Sequence, residues 1–236
     1  NNTATGVGSL AATTGDNNTA MGHNALVANN SGDGNTATGV GALGGNTSGN
    51  NNTAVGINSM VANSTGDDNT AVGASSLNAN TIGVNNVAIG VHTMQTNTDG
   101  TRNTAVGASA LLTNSTGDNN TAIGTEALKL STADNNTAVG NATLVNNTTG
   151  TGNTAVGARS LGAVSTAGFN TAVGLDALAA NTAAGNTAVG SSALVTNTTG
   201  TGNTAVGVNS LFANVSGTNN TATGVGSLAA TTGDNN

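Results

Sequence analysis

The sequence predicts an all-β protein, a parallel β-solenoid, and three observations carry that expectation. A pentapeptide of the form Asn-Thr-Ala-aliphatic-Gly recurs, with few substitutions, fourteen times, from Asn2-Thr3-Ala4-Thr5-Gly6 to Asn220-Thr221-Ala222-Thr223-Gly224. Successive copies are spaced by only sixteen or seventeen positions. The residues of the motif alternate between two faces, as those of a strand do. A unit so short has no core of its own, so its side chains become buried only when successive units stack.

The motif glycines fall at positions 6, 22, 39, 56, 73, 90, 107, 124, 140, 157, 174, 190, 207 and 224, so every step is seventeen positions except for three of sixteen. Counted from that glycine, position −4 is Asn and position −2 is Ala in all fourteen repeats. Position −1 is Val, Ile or Met in eleven repeats, and Thr5, Thr38 and Thr223 in the others. Position +4 is Leu in twelve repeats, and Met60 and Met94 in the other two, always preceded by Ala, Ser or Thr. Alternation places Thr with the β-branched residue on one face and Asn with Ala on the other. The Leu and β-branched columns are expected to form the core, and stacked Asn side chains to form hydrogen-bonded ladders. A helix would not tolerate this density of Gly, Asn and Thr.

Each strand is expected to end at its motif glycine, in a corner with φ > 0, and to be followed by a second Gly-rich corner such as Thr14-Gly15-Asp16, Ser31-Gly32-Asp33 or Thr116-Gly117-Asp118. Fourteen coils in one continuous domain, residues 1–236, make thirteen steps. At about 4.8 Å each they would extend roughly 60 Å. A coil of this length encloses little more than a Leu, a Val and a few Ala side chains, so burial against copies of itself is expected to support it. Residues 1–18 read identically to residues 219–236, a superrepeat of thirteen coils, which points to a longer object built of the same coils.

Composition narrows the function. Lys129, Arg102 and Arg159 stand against ten acidic residues for a net charge of −7, so no basic stripe exists to neutralise phosphates, and nucleic acid is not an expected partner. No stretch approaches the roughly 20 apolar residues of a spanning helix. No catalytic, cofactor-binding or metal-ligating residue is assigned, and no cofactor is expected. Glu126 is the only Glu, Cys is absent, and His23 and His92 lie in different columns four coils apart. Asp16 with Asp33, or Asp118 with Asp134, could bridge a cation, but Asn50, Val84, Thr101, Thr151 and Thr218 occupy the same turn position elsewhere, so an Asx-type turn is the expected role. Sequons such as Asn17-Asn18-Thr19 and Asn63-Ser64-Thr65 arise from composition. Phe169 and Phe212 are isolated aromatics with local packing roles.

The coil Asn86-Val87-Ala88-Ile89-Gly90, together with the general pentapeptide, resembles the head repeats of YadA-like trimeric autotransporter adhesins and is similar to repeats of phage and bacterial tail-fibre proteins. The adhesin repeat is typically shorter than the coil of this chain, and the extra residues are expected to enlarge a corner. This resemblance implies a left-handed β-roll assembled as a parallel homotrimer and displayed outside a cell or virion. The expected function is therefore a structural segment of an extracellular fibre or filament, not an enzyme, whose partner is itself, side by side and end to end. Two alternatives stand beside it: an adhesin head that binds a host or matrix ligand through exposed positions such as His23-Asn24 or Thr125-Glu126, and an ice-binding solenoid that uses the Thr column, interrupted only by Val87.

Overall fold

A computed structural model describes every residue from Asn1 to Asn236 and contains fourteen strands and no helix. Each strand is the three-residue segment between motif Asn and motif Gly. The chain divides into two compact units, Asn1–Asn119 and Asn120–Asn236. The first carries β1 (Thr3–Thr5) to β7 (Thr104–Val106), the second β8 (Thr121–Ile123) to β14 (Thr221–Thr223). Within each unit every strand pairs in parallel with the next and without slippage: Thr19 faces Thr36, Ala20 faces Ala37 and Met21 faces Thr38. Each unit is thus a parallel β-solenoid, as the repeat predicts.

The strands are short because pairing does not stop where they end. Outside them the backbone still bonds from coil to coil: Leu26 N–H donates to Ala42 O at 2.9 Å, Asn30 N–H to Thr47 O at 3.0 Å and Gly34 N–H to Asp16 O at 2.9 Å. The requirement that buried peptide groups be paired is met around the coil. Its curvature comes from left-handed residues. Besides the motif glycine, positions −5, +2 and +4 all have positive φ, as at Asn51 (55°), Asn58 (53°) and Met60 (50°).

Only glycine fits the motif position, for two reasons. Its φ lies between 119° and 140° throughout, and a Cβ on Gly56 would come within 2.6 Å of Gly73 O in the next coil. The second corner differs from expectation. Gly15, Gly32 and Gly117 are absent from the residues with positive φ, and the left-handed residue stands two positions on, at Asn17, Gly34 and Asn119. Gly32 is glycine because of crowding: a Cβ there would lie 2.2 Å from Gly49 O and 2.6 Å from Asn29 Oδ1.

The interior is a stack of Leu side chains. Leu26, Leu43, Met60, Leu77, Met94 and Leu111 are fully buried in the first unit, and Leu128, Leu144, Leu161, Leu178, Leu194 and Leu211 in the second. All sit at φ near 50°, a conformation that costs an L-residue about 1–2 kcal/mol. Burying a Leu side chain contributes about 1.5–3 kcal/mol, so burial outweighs the backbone cost by a modest margin. The buried alanines of every strand but β1 complete the interior beside them.

Contrary to the sequence expectation, the aliphatic column at position −1 is not core: Met21, Ile89, Ile123, Val156, Val173, Val189 and Val206 are exposed, and Val55 and Val72 are half-buried. The alternation itself holds, but it is Ala and Asn that point inward. A narrow coil has space for a methyl group and a hydrogen-bonded amide beside the Leu stack, which leaves Thr and Val on the outer face.

The left-handed Leu gives an unusual expectation. Leu77→Ala loses packing worth about 2–5 kcal/mol and keeps the backbone cost. Leu77→Gly loses the same packing and relieves that cost, but glycine's greater freedom in the unfolded chain takes back about 0.4–1 kcal/mol, so the two variants should differ by about 1 kcal/mol or less. Urea unfolding followed by circular dichroism measures the difference.

Candidate functional surfaces

The most elaborate arrangement of polar groups is internal. The motif Asn residues, buried in all but the first coil, form a ladder within each unit. Asn18 Oδ1 accepts from Asn35 N–H at 2.9 Å while Asn18 Nδ2 donates to Gly32 O at 2.8 Å. The pattern recurs up the units, for example at Asn52, whose Oδ1 accepts from Asn69 N–H at 3.0 Å and whose Nδ2 donates to Gly66 O at 2.7 Å. The backbone partners fix the orientation of each amide, because a carbonyl can only accept and a peptide N–H can only donate.

A second ladder, beyond the one the motif predicts, stands at position +7. Asn46 Nδ2 donates to Asn29 Oδ1 at 2.7 Å, and the chain of side-chain bonds continues through Asn63, Asn80, Asn97 and Asn114. The same Nδ2 groups also donate to a glycine carbonyl three residues on, as Asn46 does to Gly49 O at 2.9 Å. That carbonyl accepts from both ladders: Gly49 O also takes Asn35 Nδ2 at 2.8 Å. The signal in the sequence is an Asn-x-x-Gly pattern at positions 29, 46, 63, 80, 97, 114, 147, 197 and 214. Ala replaces the glycine only at Ala133, Ala167 and Ala183, which follow Ser131, Val164 and, after a shortened corner, Asn181.

The Asp turns serve the stack as well. Asp33 Oδ1 accepts from Asp16 N–H at 2.7 Å, Asp67 Oδ1 from Asn50 N–H at 2.6 Å and Asp118 Oδ1 from Thr101 N–H at 2.7 Å. These carboxylates therefore cap the backbone of the preceding coil rather than their own turn. In neither unit do three or more His, Asp or Glu side chains gather as a metal site would require, and no pocket forms. His23 and His92 are exposed on different columns. Glu126 pairs with Lys129 at 2.8 Å. Arg159 makes a two-pronged pair with Asp176 at 2.8 and 2.7 Å, and that hydrogen bonding, with the carboxylate's charge, raises the guanidinium's pKa further above neutrality. At an exposed site such a pair adds little stability.

Outward, each unit presents a sheet face of Thr at position −3, aliphatic residues at −1 and variable residues at +1. The last include Val40, Ile57 and Val91 in the first unit and Leu175 and Val208 in the second, each between 44% and 58% exposed. The sequons divide by position: Asn17 is exposed at its corner, whereas Asn63 is buried in the second ladder. Phe169 is 75% exposed at a corner flanked along its column by Gly152 and Gly185, and Phe212 is 42% exposed. No family model matches the chain, and neither does any curated protein.

Burial of an unpaired amide costs about 2–7 kcal/mol, so the ladders are strongly stabilising only while intact. Asn80→Ala strips the partner from Asn63 Oδ1 and removes a donor to Gly83 O. The variant is expected to lose about 2–4 kcal/mol, while Thr70→Ala on the outer face loses less than about 1 kcal/mol. Parallel urea titrations of the two variants check this.

Proposed function

We propose that this chain is a structural segment of an extracellular fibre, extending and stiffening an appendage of a cell or virion, and that it works as a homo-oligomer through its outer sheet face. The observation that carries this reading is the placement of the apolar residues. Leu, Ala and Asn fill the interior, so the β-branched column is left outside, repeated in register from strand to strand and free of charge. Uncovered apolar stripes of this kind mark surfaces that other proteins cover.

A second copy of the same face is the complementary occupant, since its Thr and Val columns have the same spacing. The resemblance to trimeric adhesin heads favours a parallel trimer and display outside the cell. In that arrangement the corner residues at position +2, such as Asn24, remain available for adhesive contacts. The role is mechanical, with no chemistry assigned to any residue.

The in-register Thr column supports a second reading, in which a free solenoid face binds ice. The two readings divide on assembly, because the same face cannot be both covered and free.

Sedimentation of the 236-residue chain over a wide concentration range tests the proposal. A stable oligomer is expected, and Val72→Lys with Ile89→Lys should yield monomers that keep the β-rich circular dichroism of the parent. A parent chain that stays monomeric at about 100 μM or above would overturn the assembly claim. Thermal hysteresis in such a monomer would favour ice binding.

A further inference from the structure

The second ladder is broken at Val164, which is fully buried at the position that Asn occupies in neighbouring coils. Two consequences are visible. Asn147 Oδ1, which the next coil's amide would contact, is buried without a hydrogen-bond partner. Above the break, Asn181 Nδ2 keeps only the bond to its own corner, donating to Ala183 O at 2.6 Å, and makes none to the coil below.

The adjoining backbone shows a matching fault. At position +8 the N–H donates to the same position of the next coil, as Thr47 does to Ser64 O at 3.0 Å, Thr81 to Thr98 O at 2.9 Å and Thr148 to Ser165 O at 2.7 Å. No such bond leads from Ser165 to Thr182. The hydroxyl bonds that accompany it elsewhere, Thr81 Oγ1 to Thr98 O and Thr148 Oγ1 to Ser165 O, also have no counterpart from Ser165. The physical cause is a change of coil length. The corner at 181–183 is one residue shorter than the corner at 164–167, so the two cannot remain in register. A related fault stands at the other long-to-short step of this unit, where Val215 makes no such bond to Thr232 and Asn214 Oδ1, facing Thr231, is unpartnered; at Val164 the unpartnered Asn147 Oδ1 lies one step before the missing backbone bond.

The rest of this step is sound. Leu161 N–H donates to Ala177 O at 3.0 Å, Ala163 N–H to Ala179 O at 2.9 Å and Thr171 N–H to Asn186 O at 2.8 Å. The missing bonds therefore all lie at one corner while the strand and Leu sides hold.

We infer that the corner at residues 164–168 is a built-in seam, where the second unit opens locally against residues 181–185 before the solenoid as a whole unfolds. Local opening follows the weakest set of contacts, and here both the side-chain and backbone rungs are absent. Under tension the solenoid would yield first at this corner; that consequence rests on the fibre reading, whereas the opening itself does not.

Hydrogen exchange read by mass spectrometry on the full chain tests the seam without reference to assembly. Peptides covering residues 162–185 should exchange at least about tenfold faster than those covering 60–83, where every rung is present. Val164→Asn with Ala167→Gly restores the Asn-x-x-Gly pattern and its side-chain rungs but not the backbone bonds lost to the shorter corner, and should slow exchange across the seam by part of that factor. Val164→Asn alone should achieve less, because the Ala167 methyl occupies space that the amides need. Equal protection of the two segments in the parent chain would overturn the inference, as would unchanged exchange in the double variant. Sedimentation of the same samples reports separately on the fibre reading.

Discussion

The structure depends on amide side chains buried between coils. A coil so short cannot supply a thick apolar core, and its Leu stack is one side chain wide. What makes the stack specific is that each inward Asn reaches out of its own coil. Asn18 joins a backbone N–H at Asn35 to a carbonyl at Gly32, and so binds two parts of the next coil at once. A slip of one residue would leave these donors and acceptors unpaired in a dry interior, where the penalty exceeds the net gain of a typical bond. Ladder and register therefore enforce each other.

Glycine and leucine follow from the same crowding. Where two amides converge on one carbonyl, as on Gly49 O, a methyl group has no space. Where the chain must turn within two or three residues, left-handed conformations are unavoidable, and the structure accepts them even at Leu because the side chain is then driven to the axis. The Asp and Asn residues of the second corner add a further link by capping the coil before them. The exterior is simpler, with Thr and aliphatic residues that fit a pleated sheet and leave an apolar surface in each unit.

The strands, the glycine corners, the Leu stack and the first Asn ladder are legible in the sequence because each is a column of near-constant identity. The placement of Val departs from expectation because a β-branched aliphatic residue in a strand usually faces a core, and an Asn usually faces water. Here the interior is too narrow for that rule, and the polar side chain is the inward one. The second ladder is legible in principle from Asn29-x-x-Gly32 and its successors. Its column is interrupted by Thr13, Ser131, Val164 and Thr231, and the length changes fall in the same corner. The bonds from Asp33 and Asp118 to the preceding coil depend on how corners stack, which no single repeat reveals.

Side-chain amides report on the ladders directly. In a chain labelled with ¹⁵N at asparagine, the Nδ2 groups of Asn46, Asn63, Asn80 and Asn97 should exchange with solvent orders of magnitude more slowly than those of exposed Asn17 and Asn24. If instead all asparagine side chains exchange at the rate of free amides while the backbone stays protected, the ladders do not hold the coils together.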